Sequence, residues 1–130
     1  MTIYGRDQQE WDELRAEGQR FLERQAKLDK TTTYTEVNTV LARRTGHRLF
    51  DFSQQSERHA MGELLGAITE ETFPHTGVML SALVQYLDEN DAGPGFFQLA
   101  ERLGCLSRGA KPEQKWDFWV NEVSAVHAYY

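Results

Sequence analysis

His59 and Glu63 stand four residues apart in SERHAMGELLGAITEE, and Glu71 and His75 repeat the spacing in reverse order. On a helix each pair shares one face and can offer two ligands to a divalent cation. A site needs three or four convergent ligands and spacing supplies only two at a time, so no metal is expected. Asp88, Asn90, Ala92 and Gly93 open with the spacing of a calcium loop, but Ala92 and Leu99 occupy the fifth and twelfth positions, where oxygen ligands are required. An acidic turn is expected there instead. Gly93, Pro94 and Gly95 should reverse the chain tightly with positive φ at the glycines, and should hold no phosphate because Asp88, Glu89 and Asp91 lie beside them. Cys105, the single cysteine, can form no disulfide within the chain and reads as a buried, inert thiol. No glycine-rich phosphate loop, nucleophile elbow or two-histidine zinc helix occurs, and neither catalysis nor a cofactor is expected.

The remaining candidates are residues of recognition. The net charge is −6, and it is concentrated in the middle of the chain. Between Asp51 and Asp91, eight acids (Asp51, Glu57, Glu63, Glu70, Glu71, Asp88, Glu89, Asp91) face one base, Arg58. Just before that stretch, Arg43, Arg44, His47 and Arg48 form a basic cluster that is small for a nucleic-acid footprint. Near the end of the chain Trp116, Trp119, Tyr129 and Tyr130 concentrate aromatic surface of the kind that anchors protein interfaces or fills a core. Glu113 and Lys115 are similar to the acid-x-lysine end of restriction-type nuclease sites. They follow Pro112 into a helix rather than lying on a strand.

These residues must be positioned by elements legible from periodicity. Trp11, Leu14, Gly18, Phe21, Leu22, Gln25 and Leu28 recur at spacings of three and four, which predicts an amphipathic helix over residues 6–29. Hydroxyls at 31–35 can cap a short helix carrying Val37, Val40 and Leu41 and stopping at Gly46. Residues 47–53 read as a short strand or extended connector. A second long helix starts near Ser56, carries Met61, Leu64, Leu65 and Ile68, and is expected to end at Pro74. Gly62 and Gly66, four apart on it, allow another element to approach closely. Residues 78–87, VMLSALVQYL, read as a buried strand. Phe96, Phe97, Leu99, Ala100 and Leu103 define a short helix from Gly95 to Gly104. A last helix starts near Pro112, with Trp116, Trp119, Val120, Val123, Val126, His127 and Tyr130 on one side.

A chain of 130 residues with 40 % hydrophobic composition is expected to form one domain spanning 1–130, an N-terminal amphipathic helix at 1–30 followed by a helical core. Its predicted core is Trp11, Leu14, Phe21, Leu41, Leu64, Leu65, Ile68, Leu80, Val84, Phe97, Leu103, Trp119 and Val123. The first thirty residues lack a signal-peptide apolar stretch, and the longest apolar run is too short to span a bilayer, so the expected location is cytoplasmic with no membrane partner.

TTTYTEVNTVLARRTG, MGELLGAITEET, MLSALVQYLDENDAGPGFFQLAERLG and FWVNEVSAVHAYY together resemble a family of small uncharacterised bacterial proteins over residues 32–130. Thr33, Tyr34, Thr35, Glu36 and Val37 are also similar to the start of the first helix of small winged-helix domains. The resemblance implies an α+β, predominantly helical architecture: a compact helical cluster with a small β-sheet, winged-helix-like in its order. The expected function is that of a non-enzymatic binding module meeting a protein partner or a second copy of itself. The alternative is a nucleic-acid-linked role, either weak DNA binding through Arg43, Arg44 and Arg48 or metal-dependent cleavage.

Overall fold

The Asp7 carboxylate accepts the backbone N–H of Glu10 at 2.8 Å and so caps the first helix, α1, Gln8–Lys27. The helix begins after residue 6 because the preceding chain forms a hairpin. Tyr4 and Gly5, both at positive φ (54° and 75°), turn β1, Thr2–Ile3, antiparallel onto β2, Arg6–Asp7. The computed structural model describes residues 2–87 and 92–130.

Thr33 accepts the Glu36 N–H at 3.1 Å and caps α2, Tyr34–Thr45. That helix ends as expected at Gly46, whose φ of 75° lets its N–H reach the Ala42 carbonyl at 2.9 Å. The next stretch is a connector. Asn38 explains why it pairs with no strand: its amide donates to the Phe50 carbonyl at 2.9 Å and its oxygen accepts the Phe50 N–H at 2.8 Å.

The long helix α3, Gln55–Thr76, runs through Pro74 rather than stopping there. In the last turn a proline removes a single N–H, and the chain breaks instead at Gly77, with φ 72° and its N–H on the Phe73 carbonyl at 2.8 Å.

Residues 78–87 are buried as expected but do not form one strand. They divide into a 3-10 turn, Leu80–Leu83, and a two-residue strand, β4, Val84–Gln85. Side chains satisfy the backbone where a strand partner would have done so. The Glu122 carboxylate accepts from Met79 N at 2.7 Å, Thr69 Oγ1 accepts from Ser81 N at 3.1 Å, and Trp119 Nε1 donates to the Ala82 carbonyl at 2.8 Å. β4 lies parallel to β3, Thr32–Thr33, with Thr32 opposite Val84 and Thr33 opposite Gln85. A winged-helix wing, an antiparallel hairpin after the helices, is not found among the described residues.

The acidic residues 88–91 lie outside the described part, and with them the first half of the expected turn. Its second half differs from expectation. Gly93 has φ −72° and precedes α4, Pro94–Arg102, while Gly95 is an ordinary helical residue. Gly93 is required for space, since a Cβ there would lie 2.8 Å from Tyr86 Cδ1. Phe96 and Phe97 are both buried against one another, with ring centroids 5.3 Å apart. Pro112 begins the last helix, α5, Pro112–Tyr129, where the Gln114 side chain accepts the Lys111 N–H at 2.8 Å.

One cluster of buried residues draws on all five helices. Of the predicted core, Trp11, Leu103 and Val123 are only partly buried and the rest are buried. Cys105 is exposed, contrary to the buried thiol expected, because it follows the positive-φ Gly104 on the loop leaving α4. Burial of its surroundings and the nearby Glu122 still hold its thiol above the ordinary range.

Candidate functional site

The basic cluster is brought to the surface near α1 but is largely spoken for. Arg48 Nη1 donates to the buried Glu57 carboxylate at 2.6 Å and Nη2 to the Tyr4 carbonyl at 2.9 Å. Arg44 lies 3.7 Å from Glu17 and over the Phe21 ring, and His47 Nε2 is 2.8 Å from Glu13. Arg43, exposed on the same helix, makes no ion pair or side-chain hydrogen bond among the described residues. The cluster therefore ties α2 and the connector to α1, α3 and the N-terminal hairpin.

The aromatic residues of α5 separate by role. Trp119 is buried and hydrogen-bonded to Ala82, whereas Trp116, whose ring packs edge-on against it at 5.3 Å, is 43 % exposed. Val120, one turn further on, is 41 % exposed. The expected single apolar side of α5 thus divides, with Trp119 and Val126 turned into the core and Trp116 and Val120 left outside. Tyr129 is exposed and Tyr130 partly buried, their rings 4.9 Å apart. His127 Nε2 meets the Lys30 carbonyl at 3.0 Å, which gives it a packing role.

The pairs considered for metal binding do not converge. Glu63 accepts the Tyr4 hydroxyl at 3.0 Å, Glu71 pairs with Arg15 at 3.5 Å, and His59 and His75 are exposed. Among the described residues no group of three or more histidine, cysteine or acidic side chains is placed to hold a cation. Lys115 and Glu113 lie on α5, the Lys115 ammonium 5.8 Å from the Phe97 ring centre.

A groove between α3 and α4 brings the His59 and Glu63 pair together with residues that the sequence did not single out as a site. Its volume is about 490 Å³, and its lining includes Tyr34, Arg58, His59, Tyr86, Gln98 and Arg102. The signal that pointed toward it is the glycine pair. Gly62 faces the Tyr34 hydroxyl, 3.5 Å from where a Cβ would be, and Gly66 faces Leu99 at 3.9 Å. Tyr34 itself is buried and packs edge-on to Tyr86 at 5.1 Å. Burial, with Tyr86 beside it, pushes its pKa up to about 12, so the phenol stays protonated and acts as a donor.

Comparison with protein families, with curated proteins and with solved structures finds no match. Among the described residues no helix is long and apolar enough to cross a membrane.

Proposed function

We propose that this chain is a non-enzymatic binding module that meets a protein partner through the outward face of α5. The observation that carries this reading is the exposure of Trp116 and Val120 one helical turn apart, on a helix whose second tryptophan, Trp119, already serves the core. Exposed tryptophan backed by a second packed ring is rigid apolar surface, the kind that contributes most to protein interfaces. The same reading places the protein in the cytoplasm, where an exposed thiol such as Cys105 stays reduced.

A photocrosslinker placed at Asn121 should capture a specific protein from cell extract, and that protein, once purified, should bind the parent chain. Trp116→Ala with Val120→Ser should weaken the binding roughly tenfold or more while leaving the thermal midpoint nearly unchanged. Trp119→Ala, by contrast, should cost about 3–5 kcal/mol of folding stability. Recovery of no specific protein, or unchanged affinity in the double variant, would end the proposal.

The nucleic-acid reading has less support, because Arg44 and Arg48 are paired internally. Arg43 alone gives too few phosphate contacts for appreciable affinity. No shift of duplex or single-stranded DNA is expected at about 50 mM salt. A clear shift that Arg43→Ala removes would reverse this preference.

A further inference from the structure

We propose that the cleft where the ends of α3 and α5 meet α1 holds an alkylammonium ion, the group carried by a lysine side chain or a small free amine. The cleft lies at the opposite end of α5 from Trp116 and does not depend on the reading of that face.

Its volume is about 290 Å³, the small end of the range for ligand pockets and room for one group of side-chain size. Gln19 and Glu23 of α1 form one wall, the last turns of α3 from Glu71 to Thr76 a second, and Tyr129 with Tyr130 a third. The lining contains two carboxylates and no lysine or arginine. Glu23 is half-buried and makes no ion pair among the described residues; its one side-chain contact is the Gln19 amide at 3.5 Å. A carboxylate drawn partly out of water without a counter-ion is an incomplete pair, which a bound cation completes. Glu71 meets Arg15 at 3.5 Å, an exposed contact that yields at little cost.

The groups beside the carboxylates specify the kind of cation. Thr72 is buried and its hydroxyl proton goes to the Ile68 carbonyl at 3.1 Å, while Thr76 donates to the Thr72 carbonyl at 3.1 Å. Both hydroxyls therefore offer a ligand lone pairs and no proton. The end of α3 is in addition the negative end of its dipole. Acceptors arranged in this way suit a charged donor, and a primary ammonium carries three N–H groups. A metal ion is not accommodated in the same way, because among the described residues no three acidic or histidine side chains converge.

The tyrosines supply the apolar part of the fit. Their rings stand 4.9 Å apart at 71°, so a stem seated in the corner meets one face and one edge. A cation within about 6 Å of a tyrosine ring centre is attracted to its face. The Tyr130 phenol is held above its ordinary range, by burial first and then by the Glu23 carboxylate, so ring and carboxylate share one small space. An alkyl stem against the rings with its ammonium at Glu23 uses both.

The test is an amide-shift titration of the full chain with n-butylammonium, tetramethylammonium, n-butanol and magnesium. n-Butylammonium should shift the amides of Glu23, Thr72, Thr76 and Tyr129 saturably. Tetramethylammonium, which has the charge but no N–H, should bind roughly tenfold or more weakly, and butanol and magnesium should not compete. Glu23→Gln should lower the affinity roughly tenfold or more with its thermal midpoint nearly unchanged, because no ion pair is lost. Tyr129→Leu should lower the affinity roughly two- to fivefold. Glu113→Gln removes the same charge from the far end of α5 and should leave the affinity as it is, which separates this cleft from general attraction to an acidic chain. With Nα-acetyl-lysine amide as a further probe, affinity equal to or above that of n-butylammonium assigns a lysine side chain, and lower affinity a free amine. Absence of saturable shifts with n-butylammonium, equal binding of tetramethylammonium or butanol, competition by magnesium, full affinity in Glu23→Gln, or an equal loss in Glu113→Gln would each overturn the proposal.

Discussion

A guanidinium with no exposed surface needs a reason to be inside, and Arg6 has three. It pairs with Glu10, donates to the Arg48 carbonyl at 3.1 Å, and lies 4.2 Å over the Phe50 ring. Only its Nε lacks a partner. Removing one member of a buried pair costs more than the pair contributes, because the other charge is left behind. Arg6→Ala should therefore lower stability by about 3–5 kcal/mol in urea denaturation. Arg6→Met, which keeps apolar volume over Phe50, should lose less. None of this was legible from sequence, where Arg6 read as one more charge at the start of an amphipathic helix. Arg48 misled for the same reason: its partners, Glu57 and the Tyr4 carbonyl, are local neither in sequence nor in any periodic pattern.

Helices were legible where one face is apolar and the ends carry their own signals. The Thr33 cap, the Gly46 stop and Pro112 all act where their chemistry says they should. The misreading at residues 78–87 arose because continuous apolarity reports burial and not backbone geometry, and the side chains that satisfy this segment, Thr69, Trp119 and Glu122, come from other elements. The glycines at the start of α4 make the distinction testable. Gly95→Ala, in a helix with open space around it, should raise stability by about 0.5–1 kcal/mol. Gly93→Ala should lower it, since the new methyl would lie 2.8–3.2 Å from three atoms of Tyr86. Paired thermal melts check both signs. The groove beside these glycines was only half legible: the spacing of Gly62 and Gly66 indicated close approach, but not that Tyr34 and Tyr86 would be what approached.

Across the whole molecule, acidity and burial meet at Glu122. Burial holds its carboxyl above the ordinary 4.5, outweighing the Met79 N–H that pulls the other way, and the Cys105 thiol is the titratable neighbour. The folded state therefore keeps this proton to higher pH than the unfolded chain does. Its contribution is favourable below the ordinary value and is lost as pH rises through the raised one. Glu122→Gln, whose amide oxygen can still accept from Met79, should gain stability relative to the parent as pH climbs through that interval. Thermal midpoints measured from pH about 4 upward check the sign.

The parallel seam between β3 and β4 joins segments from distant parts of the chain with only two residues each. Such a seam can close only after the intervening helices have collapsed, since the loop entropy must be met before the pairing returns anything. Val84→Ala should accordingly speed unfolding and leave the folding rate almost untouched, a φ-value of about 0–0.3 in stopped-flow measurements. Tyr34 and Tyr86 follow immediately after those two strands, so the walls of the groove come together in the closing step of folding and part in the opening step of unfolding. The contact between those two rings is therefore a clock hand for the whole molecule: how long they stay together is how long the chain stays folded.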